Sequence, residues 1–167
     1  LTRQVLPGMI ARGEGRIVQN SSVLGLVGLP FRGAYVCSKF ALEGLSDTLR
    51  LELKGTGVHV SLIEPGPITS RFRDNALEVF LRTVDVSGSR HRHAYEAQLA
   101  RLRKPGPAAP FTLPASAVVD KLIHALESPR PRPRYYVTKP TYLLGYLKRV
   151  LSTRMLDSIL GRVSGEG

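Results

Sequence analysis

The order of elements in the first 66 residues most constrains what this chain can fold into. Residues 16–22, RIVQNSS, begin with β-branched residues typical of a buried strand, and residues 58–66, VHVSLIEPG, predict a second strand ended by Pro65 and Gly66. Between them, residues 34–54 place apolar side chains three and four apart, which predicts a helix stopped by the glycines of KGTG. A strand, a helix and a strand within about fifty residues indicate a parallel βαβ unit. We therefore expect an α/β fold that binds ligands at the carboxyl ends of its strands.

Further elements flank this unit on both sides. Residues 1–12 have helical spacing, ASAVVDKLIHALES and the segment from Tyr142 to Arg162 predict amphipathic helices, and PRYYVTK predicts a third strand. Residues 71–112 are polar and basic with weak helical periodicity. A segment of that length inside a compact domain is typical of a substrate-site loop or lid.

Composition excludes some classes of function. The net charge of +11 invites a nucleic-acid or membrane partner. The basic runs RHRH, RLRK and RPRPR, however, lie among prolines and glycines without interleaved aromatic residues, so nucleic acid is not expected as the main partner. A single cysteine, Cys37, excludes an internal disulfide and is compatible with the cytoplasm; we expect it to be buried. His91 and His93 lie in the basic segment and do not predict a metal site.

The spacing Tyr-x-x-x-Lys occurs twice, at Tyr35 and Lys39 and at Tyr135 and Lys139. On a helix, residues four apart share a face at about 5 to 6 Å, whereas on a strand they lie roughly 13 Å apart. We place the first pair at the start of the predicted helix and the second in a strand ended by Pro140. Only the first pair can then cooperate, with the lysine ammonium favouring the tyrosine phenolate.

The first predicted strand ends in QNSS, which brings hydroxyl groups to its carboxyl end. Alternation places Asn20 and Ser22 on one face and Gln19 and Ser21 on the other. One serine should face the crevice, and spacing alone leaves open which.

The stretch GRIVQNSSVLGLVGLPFRGAYVCSKFALEGL, preceded by LPGM and followed by VHVSLIEPGPI, resembles the short-chain dehydrogenase/reductase family. In that family the catalytic serine stands thirteen positions before the tyrosine of a Tyr-x-x-x-Lys helix, which here selects Ser22, Tyr35 and Lys39. The resemblance is strongest from Leu6 to Arg71. The later segment is similar to the branch of retinol and 17β-hydroxysteroid dehydrogenases and to bacterial NADP-dependent aldehyde reductases.

This resemblance implies a Rossmann-like, doubly wound parallel sheet of which about three strands with flanking helices are present. It implies that Tyr35 exchanges a proton with the substrate oxygen, that Lys39 assists it and binds the nicotinamide ribose, and that Ser22 polarises the carbonyl. The implied nicotinamide turn comprises Pro65, Gly66, Ile68 and Ser70, with Thr69 as the other candidate hydroxyl. The implied cofactor is NADP or NAD, the substrate a small apolar alcohol or carbonyl compound, and the assembly a homo-oligomer.

The family's glycine-rich pyrophosphate turn and its proton-relay asparagine do not occur in this sequence. We therefore expect a single, partial Rossmann-type domain over residues 1–167, the C-terminal portion of a longer cytoplasmic dehydrogenase, with peripheral membrane contact possible through the final helices. Such a portion would leave a strand edge uncovered. The alternative is a non-catalytic basic module that binds an anionic surface or a protein partner.

Overall fold

The computed structural model describes residues 1–107 and 109–164. It contains three strands, seven α-helices and a short 3-10 helix, Val23–Gly25, in this part of the chain. The order of the regular elements is α1 (Thr2–Ala11), β1 (Gly15–Asn20), α2 (Gly33–Glu52), β2 (Val58–Glu64), α3 (Phe72–Thr83), α4 (Arg92–Arg103), α5 (Ser116–Glu127), β3 (Arg134–Tyr136), α6 (Lys139–Val150) and α7 (Thr153–Ser164).

The chain divides into two compact units. The first combines Leu1–Gly66 with the described residues from Ser116 onward and holds the sheet; the second is Pro67–Ala115. The three strands of the first unit are parallel, in the order β1, β2, β3. The prediction of a parallel α/β sheet with flanking helices is thereby confirmed.

The core of the first unit forms where apolar faces of the sheet and its helices meet. Ile17 of β1 and Val60 of β2 are paired in register and buried, and Leu53 from the end of α2 packs with them. Met9 of α1 is packed against this cluster. A second buried cluster joins Leu24 and Val27 to Leu160 of α7. Burial of these side chains fixes α2 against the sheet.

The second unit is built around the pair α3 and α4. The rings of Phe80 and Tyr95 meet edge to face with centroids 5.6 Å apart, and Arg73 donates a hydrogen bond of 2.8 Å to the carbonyl of Gly106. The weak helical periodicity in residues 71–112 thus corresponds to two formed helices.

Two sequence expectations are wrong. Cys37 is exposed, because it lies on the outer side of α2 and not on its packed face. Lys139 does not continue the third strand: β3 ends at Tyr136, and Lys139 begins α6. Pro140 lies in the first turn of that helix, where a missing N–H removes no helical hydrogen bond, so it starts a helix instead of ending a strand.

Among the described residues, every helix is too short or too polar to traverse a bilayer.

Candidate active site

The carboxyl ends of β1 and β2 lie side by side and create the candidate site. The amide of Ser21 donates to the carbonyl of Ile63 at 2.8 Å, and the amide of Val23 donates to the carbonyl of Pro65, also at 2.8 Å. These bonds continue the pairing of the two strands past their regular ends. They place the segment that carries the serines directly against the turn that carries Pro65.

Ser22 occupies the N-cap of the short 3-10 helix Val23–Gly25. Its backbone is extended, and its Oγ accepts a hydrogen bond of 3.1 Å from the amide of Leu24. A hydroxyl that accepts this bond retains its own proton for donation. The cap fixes the Ser22 side chain at the end of β1 with its hydroxyl proton available for a hydrogen bond.

Ser21 is oriented differently. Its Oγ is buried and makes no hydrogen bond within the described part of the chain. An ideal Cβ built on Gly25 would lie 2.7 Å from this oxygen and 2.9 Å from Cγ of Glu43. The Ser21 hydroxyl therefore lies near Glu43 of α2. Ser22 is the serine that resemblance to the family predicts as the catalytic one.

Tyr35 and Lys39 lie in the first two turns of α2. The Nζ of Lys39 is 5.6 Å from the centroid of the Tyr35 ring and donates a hydrogen bond of 2.8 Å to the carbonyl of Asn20. The pair therefore spans one helical turn, and its ammonium is anchored to the last residue of β1. Partial burial lowers the pKa of Lys39 from its ordinary value, while the nearby carboxylate of Glu43 opposes that shift.

The Tyr35 ring has an apolar environment. It packs against the cluster of Leu24, Val27 and Leu160, together with Leu29. The ring is therefore partly buried by apolar side chains.

Pro65 and Gly66 form the turn after β2. A Cβ on Gly66 would lie 2.1 Å from Oγ1 of Thr138 and 2.8 Å from Oγ1 of Thr141. Both threonines are fully buried and lie within hydrogen-bond distance of each other, at 3.1 Å. Only glycine therefore allows the turn to approach the start of α6 so closely.

Ile68 and Ser70 belong to the second unit, unlike the other residues of the predicted site. Ile68 forms an isolated parallel bridge with Leu113. Ser70 is exposed, and its Oγ accepts a long hydrogen bond of 3.4 Å from the amide of Phe72 at the start of α3. Within the first unit, the structure brings together Ser22, Tyr35, Lys39 and the Pro65 turn.

Comparison with known proteins shows which family the chain resembles. Residues 1–79 match the family described as short chain dehydrogenase. The uncharacterized oxidoreductase YbbO of Escherichia coli strain K12 is 48% identical over 160 residues, which are 96% of this chain and 53% of that protein. Human 17-beta-hydroxysteroid dehydrogenase type 1 is 37% identical over 137 residues, which cover 80% of this chain and 40% of that protein.

The chain belongs to the short-chain dehydrogenase family. It spans about half the length of the curated relatives that it matches first.

Solved short-chain dehydrogenases share the fold. A short chain dehydrogenase from Burkholderia cenocepacia, crystallised in complex with NADP, superposes with a TM-score of 0.64 at 19% identity, over 95% of this chain and 52% of that chain. A short-chain dehydrogenase from Streptomyces avermitilis superposes with a TM-score of 0.58 at 25% identity, over 99% of this chain and 54% of that chain.

Next to the predicted site lies a charged cluster that sequence reasoning missed. Arg134 of β3 bonds Glu43 and Asp47 of α2 and Glu64 of β2. The available signal was Glu64 itself, a carboxylate at the end of a mostly apolar strand, since a buried charge requires a partner. Its partner lies 70 positions away in the sequence, so no local pattern connects the two.

Burial first, and then the carboxylate of Glu43, raise the pKa of Glu64 to about 7 against the opposing effect of Arg134. Burial alone would lower the pKa of Arg134, but its bonds to Glu64 and Glu43 outweigh that effect and hold it above its ordinary value. The guanidinium therefore remains charged at neutral pH. Its positive charge compensates the charge of the nearby carboxylates, and the side chain of Glu64 among them is fully buried.

Proposed function

We propose that the full-length protein containing this chain is an NAD- or NADP-dependent oxidoreductase that interconverts an alcohol and an aldehyde or ketone. One observation carries the proposal: Ser22, Tyr35 and Lys39 converge with the Pro65 turn at the carboxyl end of a parallel sheet. A phenol and an ammonium one helical turn apart, together with a serine hydroxyl at the neighbouring strand end, form an acid and base set suited to a carbonyl oxygen. The dehydrogenases among the chain's relatives support the same reaction class.

The residues present fit a nicotinamide cofactor. The ammonium of Lys39 carries three N–H donors, of which one is directed to the carbonyl of Asn20 at the mouth of the site. A ribose offers hydroxyl oxygens that such a donor can bind, and the Pro65 and Gly66 turn provides a close backbone surface. When bound, NAD or NADP supplies the hydride transfer. The NADP complex of the Burkholderia relative supports this choice of cofactor as a fold-level analogy.

Each residue of the set then has a task in the reaction at the substrate oxygen. Tyr35 holds at its Oη the proton that is exchanged with the substrate oxygen. Lys39 places a positive charge beside the ring and so favours loss of that proton. Ser22 donates a hydrogen bond to the same oxygen, which polarises the carbonyl and orients it.

The surroundings of Tyr35 favour a small apolar substrate. The ring packs against the apolar cluster of Leu24, Val27 and Leu160, so an aliphatic or aromatic substituent next to the carbonyl would be accommodated by burial. That residues 71–112 shape the substrate site stays a prediction. A homo-oligomeric state, a cytoplasmic location, and contact with a membrane surface also stay predictions.

The test uses the full-length protein with NADPH or NADH and a panel of aliphatic and aromatic aldehydes and ketones, followed by loss of the reduced-nicotinamide absorbance. Tyr35→Phe should lower kcat by at least about 100-fold, because proton transfer to the substrate oxygen is lost. The matched control is Tyr146→Phe, which removes an exposed hydroxyl from α6 and should leave kcat unchanged.

Circular dichroism and NADPH binding would show that the Tyr35→Phe protein is folded and binds cofactor. Wild-type turnover in that folded variant would overturn the proposed function.

A further inference from the structure

We infer that Arg134 is a positioning residue for the reaction: through Glu43 and Glu64 it holds the helix that carries Tyr35 and Lys39 in register with the strand ends. The inference rests on the proposed function, and it assigns a role to a residue that touches none of the reacting groups.

The contacts of Arg134 join three segments of the first unit. Its Nη1 donates to Oε1 of Glu64 at 2.6 Å and also to Oε2 of Glu43, and its Nη2 donates to Oδ2 of Asp47 at 2.7 Å. The side chains of Arg134, Glu43 and Glu64 are 23%, 8% and 0% exposed. Solvent therefore screens these contacts far less than it would a surface ion pair.

Each carboxylate leads directly to a residue of the proposed site. Glu43 lies one turn after Lys39 on α2 and therefore shares its face. Glu64 is the last residue of β2 and immediately precedes Pro65. A displacement of Glu43 would therefore reach Lys39 through one turn of helix, and a displacement of Glu64 would reach Pro65 through one peptide bond.

Glu43 also supports the serine segment. Its Cγ would be 2.9 Å from a Cβ on Gly25, so the two residues are in close contact. The amide of Gly25 donates to the carbonyl of Ser22 at 2.8 Å. Glu43, which Arg134 holds in place, therefore contacts the 3-10 helix that Ser22 caps.

Arginine suits this task better than lysine. The planar guanidinium directs several N–H donors in fixed directions and can serve three carboxylates at once. A lysine ammonium would keep the charge but not the directions. Methionine would leave the carboxylates of Glu43 and Glu64 buried beside each other without a counter-charge, and α2 would shift to relieve them.

Since a misplacement of about 1 Å can lower a rate by about 100-fold, the consequence should be seen in kcat. The experiment measures kcat, KM for NADPH and thermal melting of the full-length protein with Arg134→Met, Arg134→Lys and the control Arg132→Met. Arg132 lies two positions earlier with an exposed side chain, and only its backbone groups make the bonds to Ser61 and Tyr135.

We expect Arg134→Met to lower kcat by about 10- to 100-fold in the folded fraction, with KM for NADPH changed by less than about threefold. Arg134→Lys should recover part of the loss, and Arg132→Met should match wild type. If Arg134→Met does not fold, Glu43→Gln tests the same link and should lower kcat by about tenfold at constant KM.

Wild-type kcat in folded Arg134→Met or, in its place, in Glu43→Gln would overturn the positioning role. A loss of activity that is fully explained by a smaller amount of folded protein would also overturn the positioning role. The proposed function is judged separately, by Tyr35→Phe: an inactive Tyr35→Phe beside a fully active Arg134→Met rejects the positioning role alone, whereas an active Tyr35→Phe rejects the proposed function itself.

Discussion

At the scale of single residues, the side chain of Glu64 is completely removed from solvent. It lies at the end of β2, fully buried, and interacts with charged and titratable groups on two neighbouring elements. These groups are Glu43 on α2 and Arg134 and Tyr136 on β3. Its pKa is raised from 4.5 to about 7, first by burial and then by Glu43.

This shift predicts how stability depends on pH. Between about pH 4.5 and about pH 7 the native state holds a proton on Glu64 that the unfolded chain has released, so the native state binds more protons and stability falls as pH rises. The stabilising contribution is complete below about pH 4.5 and is lost as pH rises through about 7, with a total of at most about 3 kcal/mol.

Urea denaturation at about pH 5 and about pH 8 measures this slope. Glu64→Gln should flatten it, while Glu52→Gln, which changes an exposed glutamate at the end of α2, should retain the wild-type slope. An unchanged slope in Glu64→Gln would contradict the assignment.

The two Tyr-x-x-x-Lys pairs show what single residues reveal before folding. Helical periodicity predicted that Tyr35 and Lys39 share a face, and in the structure the ammonium lies over the ring. Tyr135, by contrast, bonds the ring of His124 at 2.9 Å and the amide of Arg132 at 2.8 Å. Its hydroxyl is committed to structural contacts that join β3 to α5.

At the scale of elements, the turn between α2 and β2 contains two glycines with positive φ, Gly55 at 87° and Gly57 at 78°. They differ in their surroundings. A Cβ on Gly57 would lie 1.8 Å from the carbonyl oxygen of Gly13, whereas a Cβ on Gly55 would meet nothing within 4 Å. Gly57 therefore permits the backbone contact with which the pairing of β1 and β2 begins.

The two glycines form a matched pair for mutation. Gly55→Ala should lower the free energy of unfolding by about 1 kcal/mol, the cost of a left-handed conformation for an alanine. Gly57→Ala should lower it by about 2 kcal/mol more, because the backbone of Gly13 must also move. Thermal or urea unfolding measures both; equal losses would show that the contact with Gly13 is unimportant.

Sequence periodicity predicted the type of these elements correctly, but it predicted their first and last residues less accurately. The expected helix at residues 34–54 is observed as Gly33–Glu52, and the final helix pair is present. The junction of β3 and α6 was misread because Pro140 is compatible both with the end of a strand and with the first turn of a helix. Buried Thr138 and Thr141, packed against Gly66, accompany the start of the helix at this point.

At the scale of the whole molecule, β1 has a neighbouring strand on one side only among the described residues. The amide of Ser21 is directed toward β2, so by alternation the amide of Val18 is directed toward the open side. An open strand edge is a template for pairing with another chain.

The 167-residue chain expressed alone should therefore self-associate, with light scattering that increases with protein concentration. Val18→Pro should reduce the scattering, since it removes a donor from the open edge. Leu62→Pro in the buried central strand should instead unfold the protein, because it removes the hydrogen bond of 2.9 Å from the Leu62 amide to the carbonyl of Pro133. A concentration-independent monomer in the unsubstituted chain would contradict this prediction.

The sequence by itself determined the parallel βαβ unit and the face shared by Tyr35 and Lys39, because periodicity is a property of neighbours along the chain. Resemblance to a family then selected Ser22, which alternation had left undecided. Only the tertiary structure decided that Arg134 meets Glu43 and Glu64, since these partners come from three elements far apart in sequence. The tertiary structure also decided that Ser22 caps a 3-10 helix and that Ser21 lies toward Glu43. The direction of the backbone after a strand depends on what the strand packs against, so the sequence alone does not determine it.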